Sequence, residues 1–181
     1  MAQAKKRKKF FDVKIPILKK ETQLYGYELK ELEGRNILYD LTRLLRGKGA
    51  ILKLRVRIKE TFALAEPREL MIMPYFIRRM VRKGTNYVED SFSAECKDAF
   101  VRIKPFLITR KKVSRAVRKA LREKAKEELI NYVKGKSAEI LFDELLKNSI
   151  QKFLSLKLKK IYPLSFCEIR IFKLERLKDE K

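Results

Sequence analysis

Between Ala50 and Lys59 the chain alternates with a period of two: Ala50, Leu52, Leu54, Val56 and Ile58 fall on one side, and Ile51, Lys53, Arg55, Arg57 and Lys59 on the other. Successive side chains of a strand turn to opposite faces. This stretch therefore predicts a β-strand that lies on a core with one face and presents a row of cations with the other. Like charges at that spacing repel unless something negative lies across them, on a neighbouring strand or on a partner. We read Lys53, Arg55, Arg57 and Lys59 as a candidate RNA-contacting face; the competing reading is a solvated face answered by Glu and Asp on adjacent strands.

The whole-chain balance favours a partner. The sequence holds 46 Lys and Arg against 23 Asp and Glu, a formal net charge of +23 over 181 residues. A field of that size calls for a polyanion, and nucleic acid is the first candidate. A membrane surface would attract the same charge. However, no apolar run reaches the length of a bilayer span, and the charged start is not followed by the apolar stretch of a signal peptide. The expectation is a soluble, intracellular protein with no membrane partner. Hydrophobic residues make up 45% of the chain, too many for a disordered basic tail, so the chain folds. The charged fraction of 38% exceeds the typical ~25% and matches the bias of proteins that work hot, which suggests a thermophilic source.

The second strong pattern is helical. Val113, Val117, Leu121, Ala125, Leu129 and Val133 recur every four residues and predict a helix over 112–133 with a stripe toward the core. Arg115, Arg118 and Arg122, preceded by Arg110, Lys111 and Lys112, gather positive charge at its start, while Glu123, Glu127 and Glu128 offset only its second half. The remaining chain alternates between strand-like and helix-like stretches. Residues 10–18 predict a strand confined by Pro16 to an edge or bulge, and 22–32 alternate loosely before a turn at Gly34. Pro67 reads as the first turn of a helix that is kinked near Pro74, runs to Lys83 and ends at Gly84. Tyr87–Glu95 and Phe100–Ile108 predict a hairpin turning near Lys97-Asp98, with Pro105 bending or ending its second strand. Ser137–Lys147 and Ser149–Lys160 predict two shorter helices, and Phe166–Leu174 a last strand. The fold class is α+β, with a curved antiparallel or mixed sheet or barrel flanked by helices. Residues 1–9 form a basic N-terminal arm, disordered until an anion neutralises it, and 10–181 a single domain. Within the arm, Lys5, Lys6, Arg7, Lys8 and Lys9 are candidate phosphate contacts, against the plainer reading of a solubilising tail.

Catalytic chemistry has little to work with. There is no His, and the six Gly residues are scattered without a phosphate loop or dinucleotide fingerprint. Cys96 and Cys167 read as small buried hydrophobes rather than a disulfide. Glu89, Asp90, Glu95 and Asp98 could in principle hold magnesium, but alternation turns Glu89 and Asp90 to opposite faces. Phe10, Phe11, Tyr25 and Tyr27 could stack bases, although aromatic residues here read first as core and rim. The expectation is no enzyme, no catalytic residues, no metal, no cofactor and no small-molecule substrate.

Several blocks carry a family resemblance. Lys9-Phe10-Phe11-Asp12-Val13-Lys14-Ile15-Pro16, Gly34-Arg35 with Leu41 and Leu44, Lys97-Asp98-Ala99-Phe100-Val101-Arg102-Ile103-Lys104-Pro105, and Ile161-Tyr162-Pro163-Leu164 occur in order along nearly the whole chain. The chain resembles the family of archaeal and eukaryotic small-subunit ribosomal proteins called S-one-e, in older usage S-three-a. Ala99 stands where that family usually has Gly, and the Arg-rich stretch after Thr109 is compacted into 110–118. The resemblance implies an α+β domain bound to small-subunit rRNA on the platform near the messenger RNA exit, beside other small-subunit proteins, with messenger RNA a further expected contact. It implies a cytoplasmic, ribosome-bound protein, and adds Lys14, Arg35, Arg102 and Lys104 to the candidate RNA-binding residues. A free nucleic-acid chaperone or chromatin-type protein is the alternative reading, and a metal-dependent nuclease a third.

Overall fold

The computed structural model describes residues 7–59 and 62–177. Its elements in chain order are β1 (Lys9–Ile15), β2 (Lys20–Gly26), β3 (Asn36–Asp40), β4 (Ala50–Lys59), β5 (Phe62–Ile72), α1 (Pro74–Met80), β6 (Tyr87–Glu89), β7 (Phe92–Glu95), β8 (Ala99–Thr109), α2 (Arg115–Val133), α3 (Ala138–Leu146), α4 (Ser149–Leu158) and β9 (Leu164–Leu177). The fold is α+β, as expected: the strands form one open, mostly antiparallel sheet of nine, and four helices accompany it.

Two compact units divide the chain, residues 1–39 with 52–68 and residues 40–51 with 69–181. β4 and β5 run through both, which is why no linker composition marks the division. In the first unit β1 and β2 form an antiparallel hairpin with Phe10 opposite Tyr25 and Asp12 opposite Gln23, and β1 adds in parallel to β5 through Val13 and Ala63. The alternation in β4 is realised: Leu52, Leu54 and Val56 are fully buried with Val13, Ile15, Leu32, Ala63 and Ala65 in this unit's core. Pro16 does not lie within a strand. It opens a short 3₁₀ turn over Pro16–Leu18, where its fixed φ suits the first turn and its missing N–H is no loss.

In the second unit β8 pairs along its length with β9, and β6 and β7 both pair with β8. α2, α3 and α4 supply the other side of this core. Leu121, Leu129, Leu141, Leu145, Leu154 and Leu158 are buried, and Phe142 of α3 meets Phe172 of β9 edge-on at 5.0 Å. Removing one such leucine side chain would cost about 2–5 kcal/mol. Gly135 ends α2 with φ +93°, a conformation a side chain there would strain.

Two expectations need correction. Residues 67–72 are strand, not helix: only Pro74–Met80 is helical, and Pro67 sits in β5 where the buried positions change from Ala63 and Ala65 to Leu70 and Ile72. Such a change of phase marks the irregular place in a strand that tolerates proline. Pro105 meets its expectation by bending β8: a register shift falls between Lys104 and Pro105 and the strand runs on to Thr109. The same irregularity skips Arg170 in β9, so the buried face passes from Ile169 to Phe172 rather than to Ile171. At the N-terminus, Lys9 belongs to β1, opposite Gly26, while Lys5 and Lys6 lie outside the described residues.

Candidate nucleic-acid interface

The most concentrated group of candidates lies where β8 hands over to α2. β8 ends in the core at Thr109, which is fully buried, and the next three residues, Arg110, Lys111 and Lys112, are exposed. The Thr109 hydroxyl lies 2.7 Å from the Lys111 carbonyl and 3.0 Å from that of Asn86, and it accepts the Asn86 backbone N–H at 3.0 Å. The Asn86 side-chain oxygen accepts from the Val113 N–H at 2.8 Å. A buried hydroxyl without partners is costly, so this network holds the corner to one path. The three cations are thus fixed at both ends of their loop. Ser114 then caps α2 by accepting from the Val117 N–H at 3.4 Å.

On α2 the carboxylates go to other cations. Lys119 pairs with Glu123, Lys124 with Glu127 and Glu128, and Lys157 of α4 reaches Glu128 at 3.9 Å. The Lys124 ammonium is held above its ordinary pKa by the hydrogen bonds to Glu127 and Glu128. Arg115, Arg118 and Arg122 have no ion pair among the described residues. Arg115 and Arg122 are exposed; Arg118 is half-buried, and its Nε is buried without a hydrogen-bond partner among the described residues. No acidic residue lies in the first turn of α2, so the positive end of the helix dipole adds to these charges.

The outward face of β4 keeps its cations apart from one pair. Arg57 binds Glu66 of β5 at 3.1 Å, so the neighbouring-strand reading holds for that residue. Lys53, Arg55 and Lys59 have no ion pair among the described residues. Other candidates are engaged internally. Arg35 pairs with Glu31 at 2.8 Å and donates to the Tyr25 carbonyl, Arg102 pairs with Glu175, and Lys14 lies 3.8 Å from Glu21. Glu175 is held below its usual carboxylate range by the Ser93 hydroxyl and then by Arg102. Lys104 is half-buried in β8.

The hairpin aromatics lie at the surface more than in the core. Phe10 is 68% and Tyr25 51% exposed, their ring centroids are 4.9 Å apart, and Lys8 Nζ sits over the rings of Tyr25 and Tyr27. Phe11 is half-buried. Beyond the candidates, the structure exposes Arg78, Arg79, Arg82 and Lys83, at the end of α1 and just after it. The signal for them is four cations within six residues, at the end of the stretch expected to be helical as far as Lys83.

Three of the four acidic residues around the hairpin have local partners. Glu89 accepts from Arg170 at 3.2 Å, Asp90 from the Ser91 N–H, and Asp98 from the Ala138 N–H at the start of α3. Cys96 and Cys167 are free thiols. No described helix is long and apolar enough to cross a membrane.

Comparison with known proteins agrees with the resemblance. A protein of Nanoarchaeum equitans named small ribosomal subunit protein eS1 is 29% identical over 179 residues, covering 94% of this chain and 90% of that relative. Proteins of the same name from Methanothermobacter thermautotrophicus and Pyrobaculum arsenaticum are 30% identical over 95 residues and 27% over 141; the aligned parts cover 52% and 75% of this chain and 49% and 64% of those relatives. The profile of the Ribosomal S3Ae family matches residues 2–178, so the chain belongs to that family.

Proposed function

We propose that this chain is a structural constituent of the small ribosomal subunit that binds and organises small-subunit rRNA. The observation that carries the reading is the corner between β8 and α2, where Arg110, Lys111 and Lys112 are held outward and Arg115, Arg118 and Arg122 follow without an ion pair to any carboxylate among the described residues. Phosphate oxygens would answer those charges, and the guanidinium fork suits them. Lys53, Arg55 and Lys59 on β4, Arg7 and Lys8 before the hairpin and Lys9 at its start are further contacts under this reading. Backbone contacts of this kind position RNA without reading its sequence. A place on the platform near the messenger RNA exit, beside other small-subunit proteins, is the finer form of the proposal and rests on the family.

The test is sedimentation of lysate from the source organism through sucrose gradients at moderate and high salt, following the chain by mass spectrometry. The expected result is stoichiometric co-migration with the small subunit that survives moderate salt. A free or substoichiometric peak would instead support the chaperone reading.

A further inference from the structure

Outside the basic corner, the second unit carries a cleft of about 590 Å³ between α1 and the strands β6, β8 and β9. Such a volume falls in the range that holds small organic groups. Its floor is apolar, made by Ile77 and Phe106, which belong to one buried cluster with Ile72 and Ile108. Tyr87 stands at its side, 56% exposed, its ring 5.7 Å from that of Phe106 with only 16° between the planes. Phe106 is in turn backed edge-on by Phe166 at 6.4 Å. Tyr87 is therefore an exposed flat ring stacked on the buried Phe106.

The polar groups at the mouth are cationic in excess. Arg170 is paired with Glu89 at 3.2 Å, whereas Arg78 has no ion pair among the described residues, and Arg79, Arg82 and Lys83 follow it along the chain, all exposed. A stacking surface beside uncompensated guanidinium groups is the pairing of features by which proteins hold unstacked bases and their phosphates. We infer that this cleft binds an unpaired nucleotide of RNA, the base stacking against Tyr87 and the flanking phosphates meeting Arg78 and the cations after it. The inference rests on the RNA-binding reading above and adds a site for single-stranded RNA, distinct from the backbone contacts of the α2 corner.

The test uses the full chain with a short unstructured RNA strand, a duplex of the same length, and adenosine monophosphate. Tyr87→Ala is expected to weaken binding of the strand about tenfold, within the range for one base stacked on an aromatic ring, and to leave duplex binding unchanged. Tyr87→Phe keeps the ring and should restore strand binding, which separates stacking from any disturbance of the fold. Ultraviolet crosslinking of purified small subunits should place a nucleotide adduct on the peptide that contains Tyr87. The proposal is overturned if Tyr87→Ala leaves strand binding unchanged or weakens strand and duplex alike, if adenosine monophosphate binds as tightly as the strand, or if crosslinks in the subunit join the cleft to a neighbouring protein. If the unaltered chain binds neither strand nor duplex, the RNA-binding reading itself fails along with it.

Discussion

Replacing Arg115 and Arg122 together by Gln tests whether the start of α2 lies on phosphates. Both side chains are exposed and lack ion pairs among the described residues, and Gln is as good a helix former as Arg, so the helix should be unaffected. Each cation that neutralises a phosphate contributes about 0.9 to the slope of log affinity against log salt on duplex RNA, taking the duplex DNA value as a guide. The double variant should flatten that slope by about 1.8. Raising salt from ~50 to ~200 mM would then shrink the ratio of wild-type to variant affinity by roughly tenfold. Fluorescence anisotropy on a small-subunit rRNA fragment over that salt range reads this directly. The comparison is Lys119→Gln with Lys124→Gln on the same helix, whose ammonium groups are taken up by Glu123, Glu127 and Glu128; this pair should change the slope little. Equal flattening by both pairs would mean that only the overall field matters, and an unchanged slope for the arginine pair would remove the start of α2 from the interface.

Thr109→Val removes the hydroxyl that joins Asn86 and Lys111 while keeping the side chain's shape; urea denaturation should show a loss of about 1–3 kcal/mol, and no loss would mean the network does not hold the corner. Ser114→Ala should cost about 0.5 kcal/mol, the low end for an N-cap, because the bond to the Val117 N–H is long at 3.4 Å; a cost of ~2 kcal/mol would contradict that geometry. Cys167 is half-buried, and that burial, then the charge of Glu168, pushes its thiol up to about 12, so the native chain holds too little thiolate near pH 8 for rapid labelling, and fast reaction of Cys167 with a thiol reagent before denaturation would refute the shift. The same shift makes Cys167 a stabilising group below its unfolded pKa near 9, with that contribution lost as pH rises from about 9 toward 12; a pH titration of the denaturation midpoint that rises over this window on account of Cys167, judged against Cys167→Ala, would contradict the sign.

Where the sequence was legible, one element kept one period. β4 alternates without interruption and α2 repeats its apolar residues every four, so both were readable to within a few residues, together with the cations on their outer faces. β5 was not, because Arg68 to Met73 is composed of residues such as Glu, Leu and Met that suit a helix after proline, and only pairing with neighbouring strands makes it extended. β9 misled in a smaller way, since skipping Arg170 is invisible to a pattern that counts in twos. Among the candidate contacts, Arg35 and Arg102 rest on charge and on the family resemblance. The Arg102 partner, Glu175, lies 73 residues away and is brought alongside by the pairing of β8 with β9, so no reading of local spacing could have removed it.

A net charge of +23 makes almost any surface of this chain a candidate, and charge alone therefore discriminates poorly between faces. What discriminates is how the carboxylates are distributed. On α2 they lie in the second half and pair with lysines, which are strongly hydrated point charges that gain little from a fixed geometry. The arginines at the start of the helix are left uncompensated, next to a loop whose two ends are held by Thr109 and Asn86. Holding those cations close together costs free energy in the isolated chain, since their repulsion is not relieved, and that cost is recovered only when an anion arrives. The same logic ranks the other candidates: Arg57, Arg35 and Arg102 would have to break an ion pair before contributing to an interface, whereas Lys53, Arg55 and the α2 arginines would not, so the latter should dominate the salt dependence of binding.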